Sequence, residues 1–260
     1  MNLDLTGKTA LVCGSTQGIG KAIAMELAIL GANVVLMARN VGKLQTVLAE
    51  LPNNNQKHHY LTADFSDPSQ VKEVIEGFTK HHNIHIVINN TGGPAGGLAV
   101  DAAIDEFRHA FNSHLICNQM IVQATVPAMK KEGFGRIINI ISTSVKMPLK
   151  GLGVSNTIRG AVASWSKTLA TELGGFGITV NNVLPGATMT ARLQSIITSK
   201  AEKMKSSEEE IQAEMLAEIP AKRFALAEEV AQAAAFLASP AAGYINGINI
   251  PVDGGRTGCL

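Results

Sequence analysis

Short apolar runs alternate with longer amphipathic stretches along almost the whole chain, and this alternation constrains the fold more than any other feature. Most of the runs are apolar at nearly every position, as parallel strands covered by helices on both faces must be. The alternation predicts an α/β class, with a doubly wound parallel sheet of about seven strands and helices on both faces. The runs are Thr9–Cys13, Asn33–Met37, Tyr60–Ala63, Ile84–Ile88, Arg136–Ile141, Ile178–Leu184 and Ile248–Val252.

Helix start and stop signals lie between these runs. Gly31 follows the first amphipathic stretch as a C-terminal stop. The stretch Asp67-Pro68-Ser69-Gln70 is typical of a capping box with proline in the first helical turn. Ser207 and Glu210 have the spacing of a second box. These signals predict helices between the strands.

The chain shows no repeat and no low-complexity linker, so we expect one domain over residues 1–260. Composition changes once, at Ser195–Glu218, which is rich in charged residues and methionine. This segment follows the sixth strand, on the side of the sheet where ligands bind. We therefore expect a mobile substrate lid over about residues 190–218. A solvated surface excursion is the alternative.

Charge and composition argue against several classes of partner. The 22 basic and 21 acidic residues give a net charge of +1, which favours neither nucleic acid nor an anionic membrane surface. No apolar run approaches the length of a membrane helix, and the N-terminus lacks the pattern of a secretory signal. The three cysteines show no metal-ligand spacing. Free thiols of this kind are typical of a reducing compartment, so we expect a cytoplasmic location.

A glycine-rich loop follows the first strand and opens the first helix. Its spacing is G-x-x-x-G-x-G, which allows a tight turn and lets backbone N–H groups approach a pyrophosphate at the helix N-terminus. In this position the loop predicts a Rossmann-type dinucleotide site, although a simple tight turn is the alternative. The predicted contacts are Gly14, Ser15, Gln17, Gly18, Ile19 and Gly20.

The end of the second strand indicates which dinucleotide binds. An acidic residue there would hydrogen-bond the ribose 2′-hydroxyl of NAD(H). This chain has Ala38 followed by Arg39, and a guanidinium group can bind a 2′-phosphate with a charge-assisted pair of hydrogen bonds. We therefore expect NADP(H) to be preferred over NAD(H). The alternative is that Arg39 is a solvated surface charge.

Together these motifs resemble those of the short-chain dehydrogenase/reductase family over essentially the full chain. The similarity adds Asn89-Asn90-Thr91-Gly92 after the fourth strand, Pro185-Gly186 after the sixth and Val252-Asp253-Gly254-Gly255 near the end. The resemblance implies that Asp64 contacts the adenine. It also implies homotetramers or homodimers built through helices around residues 102–131 and 155–173. The other implied cofactor contacts are Asn90, Gly92, Gly186, Thr188 and Thr190.

The catalytic positions depart from the family pattern of Asn, Ser, Tyr and Lys. Ser142 matches the family serine, but Ser155 occupies the tyrosine position and Arg159 the lysine position. His114 stands where the asparagine is expected. The chain thus resembles a divergent subgroup that lacks the Tyr-x-x-x-Lys pair and whose members are generally labelled oxoacyl-type reductases. Arg159 is expected to secure the cofactor ribose and to provide positive charge. It is not expected to donate the proton, because a guanidinium does not exchange protons near neutral pH.

The proton donor is therefore open. Ser155 is an unsuitable direct replacement, because an aliphatic hydroxyl is far less acidic than a phenol. Lys146 lies on the loop that borders the site, where desolvation and Arg159 would favour a neutral amine. His114 is expected to titrate near neutral pH. Water, substrate-assisted transfer or no turnover remain alternatives, as do a solvated or anion-binding Lys146 and a core His114.

Two histidine clusters, His58-His59 and His81–His85, lack an accompanying carboxylate or cysteine set, so we expect no metal site.

Two functions follow from the sequence. The first is an NADP(H)-dependent oxidoreductase that reduces a small-molecule carbonyl, with 3-oxoacyl-like compounds as one class, or oxidises the matching alcohol. The second is a cofactor-binding sensor or structural protein with little turnover.

Overall fold

Seven parallel strands form one sheet in the computed structural model, which describes residues 1–259. The strand order is β3-β2-β1-β4-β5-β6-β7, so the order reverses between β1 and β4. The predicted α/β class, the parallel sheet and the strand number are confirmed. The strands are β1 (Thr9–Cys13), β2 (Asn33–Ala38), β3 (His59–Thr62), β4 (Ile86–Asn89), β5 (Gly135–Ile140), β6 (Ile178–Pro185) and β7 (Asn249–Val252).

Helices connect the strands and cover both faces of the sheet. None of the helices within residues 1–259 is long and apolar enough to cross a membrane. A π-helical turn, Asn112–Ile116, joins α4 to α5, and a 3₁₀ turn, Thr143–Val145, follows β5. The helices are α1 (Gly18–Ile29), α2 (Val41–Glu50), α3 (Pro68–Thr79), α4 (Ile104–Phe111), α5 (Cys117–Glu132), α6 (Gly153–Leu173), α7 (Ala191–Met204), α8 (Glu208–Ala217) and α9 (Ala227–Ala238).

The two faces of the sheet build two separate cores. Successive side chains of a strand point to opposite faces. In β1, Ala10 and Val12 pack in the core that holds α1, α2 and α9, whereas Leu11 and Cys13 pack in the core that holds α3, α5 and α6. All four side chains are buried. This explains why the strands are apolar at nearly every position.

A file of asparagine side chains crosses the sheet from β4 to β7. Asn89 Nδ2 donates to Asn139 Oδ1 at 2.8 Å, and Asn139 Nδ2 donates to Asn182 Oδ1 at 2.9 Å. Asn182 Nδ2 in turn donates to Asn249 Oδ1 at 2.8 Å. Each donor and acceptor belong to residues paired in the strand register. Because buried amides are costly without partners, this file favours one register of these four strands.

The predicted boundaries and caps need small corrections. β4 begins at Ile86 rather than Ile84, because the intervening His85 pairs its backbone N–H with Thr9 O before the strand ladder starts. Asp67 caps α3 as expected, but Gln70 does not complete a capping box, since its Oε1 accepts from the Asp64 N–H at 2.6 Å. The box at Ser207 and Glu210 is confirmed at the start of α8.

Candidate active site

The glycine loop lies against the end of β4, at the point where the strand order reverses. The Asn90 side-chain Nδ2 donates to the carbonyl oxygens of Cys13 and Gly14 at 3.2 and 3.3 Å. A Cβ atom on Gly20 would lie 2.2 Å from Gly14 O, and one on Gly14 would lie 2.5 Å from Asn90 O. Any side chain at either position would therefore separate the loop from β4.

The first turn of α1 is open at the mouth of this loop. Gln17 precedes the helix with extended backbone, and its exposed side chain makes no capping hydrogen bond to residues 1–259. The uncapped N–H groups at such a terminus carry a partial positive charge that suits a phosphate. Ile19, by contrast, packs against the core of α1 and α9. The loop is a cradle whose shape and donors fit a pyrophosphate.

The Ser15 side chain has a structural role within the glycine loop. Its hydroxyl is fully buried and accepts a hydrogen bond from Met37 N–H at 3.1 Å. Gly14 N–H donates to Met37 O at 2.8 Å. The Ser15 side chain thus ties the loop to β2, and only its backbone is left to face a ligand.

Arg39 and Asp64 lie beside each other where β2 and β3 end. Arg39 Nη1 is 3.7 Å from Asp64 Oδ2, and the Arg39 side chain is 75% exposed. Partial burial opposes ionisation of Asp64, but hydrogen bonds from Ser66 and the Arg39 charge outweigh it and lower the pKa of that carboxyl. An exposed pair of this kind contributes little stability, so Arg39 can turn toward a ligand phosphate at small cost.

The segment after β6 approaches the glycine loop. Thr190 Oγ1 accepts from Leu193 N–H at 3.4 Å and so caps α7. A Cβ on Gly18 would lie 3.2 Å from Thr190 Cγ2. Thr188 is buried, and its hydroxyl donates to Gly186 O at 3.2 Å. Gly186 itself has no room for a side chain, because a Cβ would lie 2.7 Å from the Asp253 Cα.

Residues 190–218, the predicted lid, fold as α7 and α8. The two helices pack on each other through a small apolar cluster that includes Leu193, Ile197 and Ile211. Arg192 at the start of α7 donates through Nη2 to Pro94 O at 3.0 Å, which joins this segment to the loop after β4. The position fits a lid over the crevice, and its movement stays a prediction.

Ser142 follows β5, and Arg159 reaches the carboxyl end of the same strand. The Ser144 N–H donates to Ser142 Oγ at 3.1 Å, which leaves the hydroxyl proton of Ser142 available to a ligand. Arg159 on α6 is buried and donates through Nη1 to Ile140 O at 2.9 Å. Ser155, half-buried, lies one helical turn before Arg159 on the same helix. Ser155 and Arg159 thus lie on one face of α6 beside the crevice.

His114 lies in the π-helical turn and is 2% exposed. Its Nδ1 is 2.5 Å from Thr91 Oγ1 in the loop after β4. Burial, followed by the charges of Arg159 and Arg192, lowers the pKa of His114 to about 2. The expectation that this imidazole titrates near neutral pH is therefore wrong: His114 is a neutral hydrogen-bonding group, because a proton here would be buried beside two cations.

Lys146 follows the 3₁₀ turn and is half-buried, with its backbone N–H donating to Thr143 O at 3.0 Å. Its ammonium group makes no hydrogen bond or ion pair within residues 1–259. The neighbouring loop is held by Asn156, whose Nδ2 donates to Leu149 O at 2.8 Å. Lys146 thus lies on an anchored loop that begins at Ser142.

Sequence reasoning missed Arg192 and the contact between Thr91 and His114. Arg192 lies two residues after Thr190. Its position in the first turn of the predicted lid could have indicated it as a candidate site residue. The Thr91 contact depends on the π-helical turn, which has no comparable signal. In the two histidine clusters, His85 Nε2 is 2.7 Å from Glu132 Oε2, and His58 Nδ1 accepts from Val34 N–H at 3.0 Å. No potential metal-binding group of three ligating side chains occurs in residues 1–259.

A family model described as enoyl-(acyl carrier protein) reductase matches residues 14–257. The chain belongs to the short-chain dehydrogenase/reductase family. It is 33% identical to a D-beta-hydroxybutyrate dehydrogenase of Rhizobium meliloti, over 96% of this chain and 98% of the relative. It is also 33% identical to a 3-oxoacyl-[acyl-carrier-protein] reductase of Pseudomonas aeruginosa, over 97% and 98%. These relatives support the general activity of an oxidoreductase.

A solved reductase structure has nearly the same fold. It is the L-sorbose reductase of Gluconobacter frateurii complexed with NADPH and L-sorbose, with a TM-score of 0.93 and 30% identity, and the match covers 100% of both chains. The names of the three relatives refer in turn to a hydroxy acid, to an oxoacyl group on a carrier protein and to a sugar. The family is therefore established, while the substrate differs among its members.

Proposed function

We propose that this chain is an NADP(H)-dependent oxidoreductase that reduces a small-molecule carbonyl or oxidises the matching alcohol. The observation that carries the proposal is the glycine loop, which Asn90 holds against β4 so that the uncapped first turn of α1 opens into the crevice. Gly14, Gly18 and Gly20 would cradle the pyrophosphate through their backbone. When bound, the nicotinamide would supply or accept the hydride.

NADP(H) is the proposed cofactor because an exposed arginine follows β2 where an acidic residue would favour NAD(H). We expect Arg39→Ala to weaken NADPH binding about ten-fold or more and to leave NADH binding within two-fold. Fluorescence titration gives both dissociation constants. Lys72→Ala, which removes an exposed cation of α3, is the matched control. Tighter binding of NADH than NADPH by the unmodified protein would contradict the preference.

The residues at the end of β5 would orient the reacting oxygen. Ser142 has a free hydroxyl proton to donate to a carbonyl oxygen, and Ser155 on the adjacent helix would bind rather than protonate it. Arg159 would approach the nicotinamide ribose and add positive charge. With His114 neutral, Lys146 or water would transfer the proton. The site therefore stabilises an oxyanion mainly by hydrogen bonds and cations.

A cofactor-binding sensor with little turnover is the second candidate, and the position of the phenols favours it. The chain has two tyrosines. The hydroxyl of Tyr60 lies beside Gln45 of α2, and Tyr244 is fully exposed. Neither residue can replace the family tyrosine without a large rearrangement. The intact cofactor cradle is equally compatible with both candidates.

Oxidation of NADPH at 340 nm, measured across pH with ketones, diketones and oxoacyl thioesters, separates the two functions. Turnover that falls at least ten-fold in Ser142→Ala supports the enzyme. Micromolar binding of NADPH without turnover of any compound supports the sensor. A comparison with Lys146→Ala tests that residue as proton donor, because loss of its amine should lower kcat at least ten-fold. An unchanged kcat would leave water as the donor.

We also propose a homotetramer or homodimer and keep the cytoplasmic location as a prediction. Exposed apolar side chains on α4, Ile104 and Phe111, support a subunit contact through residues 102–131. Light scattering of the purified chain measures the assembly directly.

A further inference from the structure

Arg159 is a buried cation without a counter-ion in the described chain. Arg159 is 8% exposed, and its Nη1 donates a hydrogen bond to Ile140 O. Within residues 1–259, no carboxylate lies within 4.0 Å of Arg159 or Arg192. A buried charge without a partner destabilises a protein strongly. The second guanidinium edge of Arg159 is therefore available for an anion.

Arg192 brings a second guanidinium to the same place. A Cβ atom on Gly93 would lie 3.0 Å from Arg192 Nη2 and 3.7 Å from Arg159 Nη2. Both nitrogens thus face one point, and the glycine leaves that point free of a side chain. Burial and the neighbouring Arg192 charge lower the pKa of Arg159 to about 10, which still leaves it cationic at neutral pH. Two cations converge where an anion would relieve their repulsion.

The cofactor phosphates are poor candidates for this anion. The 2′-phosphate would lie near Arg39 at the end of β2, three strands away from β5, or about 14 Å at the usual strand spacing. The pyrophosphate would lie at the glycine loop and the first turn of α1. The arginine pair instead lies between the ends of β4 and β5, next to Ser142, where a substrate would bind.

The geometry assigns Arg159 and Arg192 as a carboxylate-binding pair for the substrate, an inference that rests on the proposed oxidoreductase function. The substrate class is then an oxo acid or its hydroxy acid. One carboxylate would bridge the two guanidinium groups, with Arg192 supplied by α7 and Arg159 by α6. Arg192 also donates to Pro94 O, so a bound acid would lie beside the hydrogen bond that already joins the lid segment to the loop after β4.

The first test measures binding and needs no turnover. Calorimetry of the NADP⁺-loaded protein should detect malonate or succinate binding at least ten-fold tighter than the corresponding diamide. Arg192→Gln should weaken acid binding at least ten-fold. Arg159→Gln should do the same at saturating NADP⁺, a condition that is needed because Arg159 is also proposed to approach the nicotinamide ribose. Lys203→Gln removes the same charge from the other end of α7 and should change nothing. Equal binding of acid and amide, or equal acid binding by all variants, would overturn the assignment.

The second test uses matched substrates: pyruvate, acetoacetate and levulinate against their methyl esters. For the best of the three, we expect kcat/KM at least ten-fold higher for the acid. Arg192→Gln should lower the acid value ten-fold and leave the ester value within three-fold. If esters react as well as acids, the pair does not bind substrate carboxylate, although the oxidoreductase function stands. If Arg192→Gln weakens NADPH binding ten-fold instead, the anion is a cofactor phosphate.

Failure of the underlying function gives a different result from failure of the carboxylate assignment. If NADPH does not bind at all, the cofactor site itself is wrong. If NADPH binds and no acid or ester is reduced, the binding experiment with malonate and succinate still decides whether the arginine pair takes a carboxylate.

Discussion

Gly14, Gly20 and Gly93 shape the site by having no side chain. At Gly14 and Gly20 the space is filled by backbone and by Asn90, so the loop can close on β4 only without Cβ atoms. At Gly93 the space is bordered by Arg159 and Arg192. The first two glycines therefore serve packing of the loop, and the third leaves room beside two cations.

A test at the first of these positions is Gly20→Ala. The added methyl group would meet Gly14 O and Asn90 Nδ2 at distances no real contact allows, so the loop must shift. We expect the free energy of unfolding to fall by about 1–3 kcal/mol and NADPH affinity to fall at least ten-fold. Urea titration and fluorescence titration measure the two effects.

Gly77→Ala is the matched control, because Gly77 lies within α3 and a methyl group there meets no atom within 4 Å. Alanine is the better helix former, so this variant should gain about 0.5–1 kcal/mol and bind NADPH normally. If Gly20→Ala behaves like Gly77→Ala, the loop does not require its tight contact with Asn90.

The π-helical turn between α4 and α5 is the element that places His114 against the loop after β4. Insertion of a π turn rotates the residues that follow it relative to a regular helix, and such turns are frequent at functional sites. Here the turn contains His114 and brings its ring to Thr91. The His114 side chain is thus buried next to Arg159 and Arg192. Its ionisation is therefore expected to make the free energy of unfolding depend on pH.

We expect His114 to destabilise the fold at acidic pH. Its folded-state pKa is about 2, below the ordinary value of 6.5, so the unfolded chain binds the proton more tightly. The contribution of the neutral ring is fully present above pH 6.5 and is lost as the pH falls toward 2, by up to about 1.4 kcal/mol per pH unit. Urea unfolding at pH 7.5 and 5.0 should therefore show a smaller loss for His114→Asn than for the unmodified protein.

His81→Asn provides the control, because His81 is an exposed histidine after α3 and is not among the charges that lower the pKa of His114. This variant should keep the full acid sensitivity of the unmodified chain. An equal loss of stability in all three proteins would mean that the ring of His114 is protonated in the fold at pH 5.

At the scale of the whole molecule, much of the architecture could be predicted because it follows from local pattern. The inner strands are buried on both faces, whereas the edge strands β3 and β7 are partly exposed. The alternation of Ala10 and Val12 with Leu11 and Cys13 shows why the sequence of an inner strand is continuously apolar. The glycine loop and the box at Ser207 were predictable for the same reason: a few adjacent residues define each of them.

The chemistry of the crevice could be predicted only in part, because it depends on groups that meet through tertiary packing. Ser142 and Arg159 were found by their spacing, but the burial of Arg159 without a counter-ion was not. The pKa of His114 depends first on its burial and then on charges from α6 and α7, which are distant in sequence. Gln70 likewise bonds Asp64 instead of the helix end, since the preceding loop places that N–H within reach.

The contact between Gly18 and Thr190 joins the two halves of the crevice. The cap of α7 lies against the first turn of α1, so a dinucleotide bound there as proposed would lie beside Thr190 and the helix that begins after it. We therefore expect an ordered kinetic mechanism, in which the nucleotide binds first and leaves last. Product-inhibition kinetics measures the order, and a random order would show that the nucleotide does not complete the binding site of the second reactant.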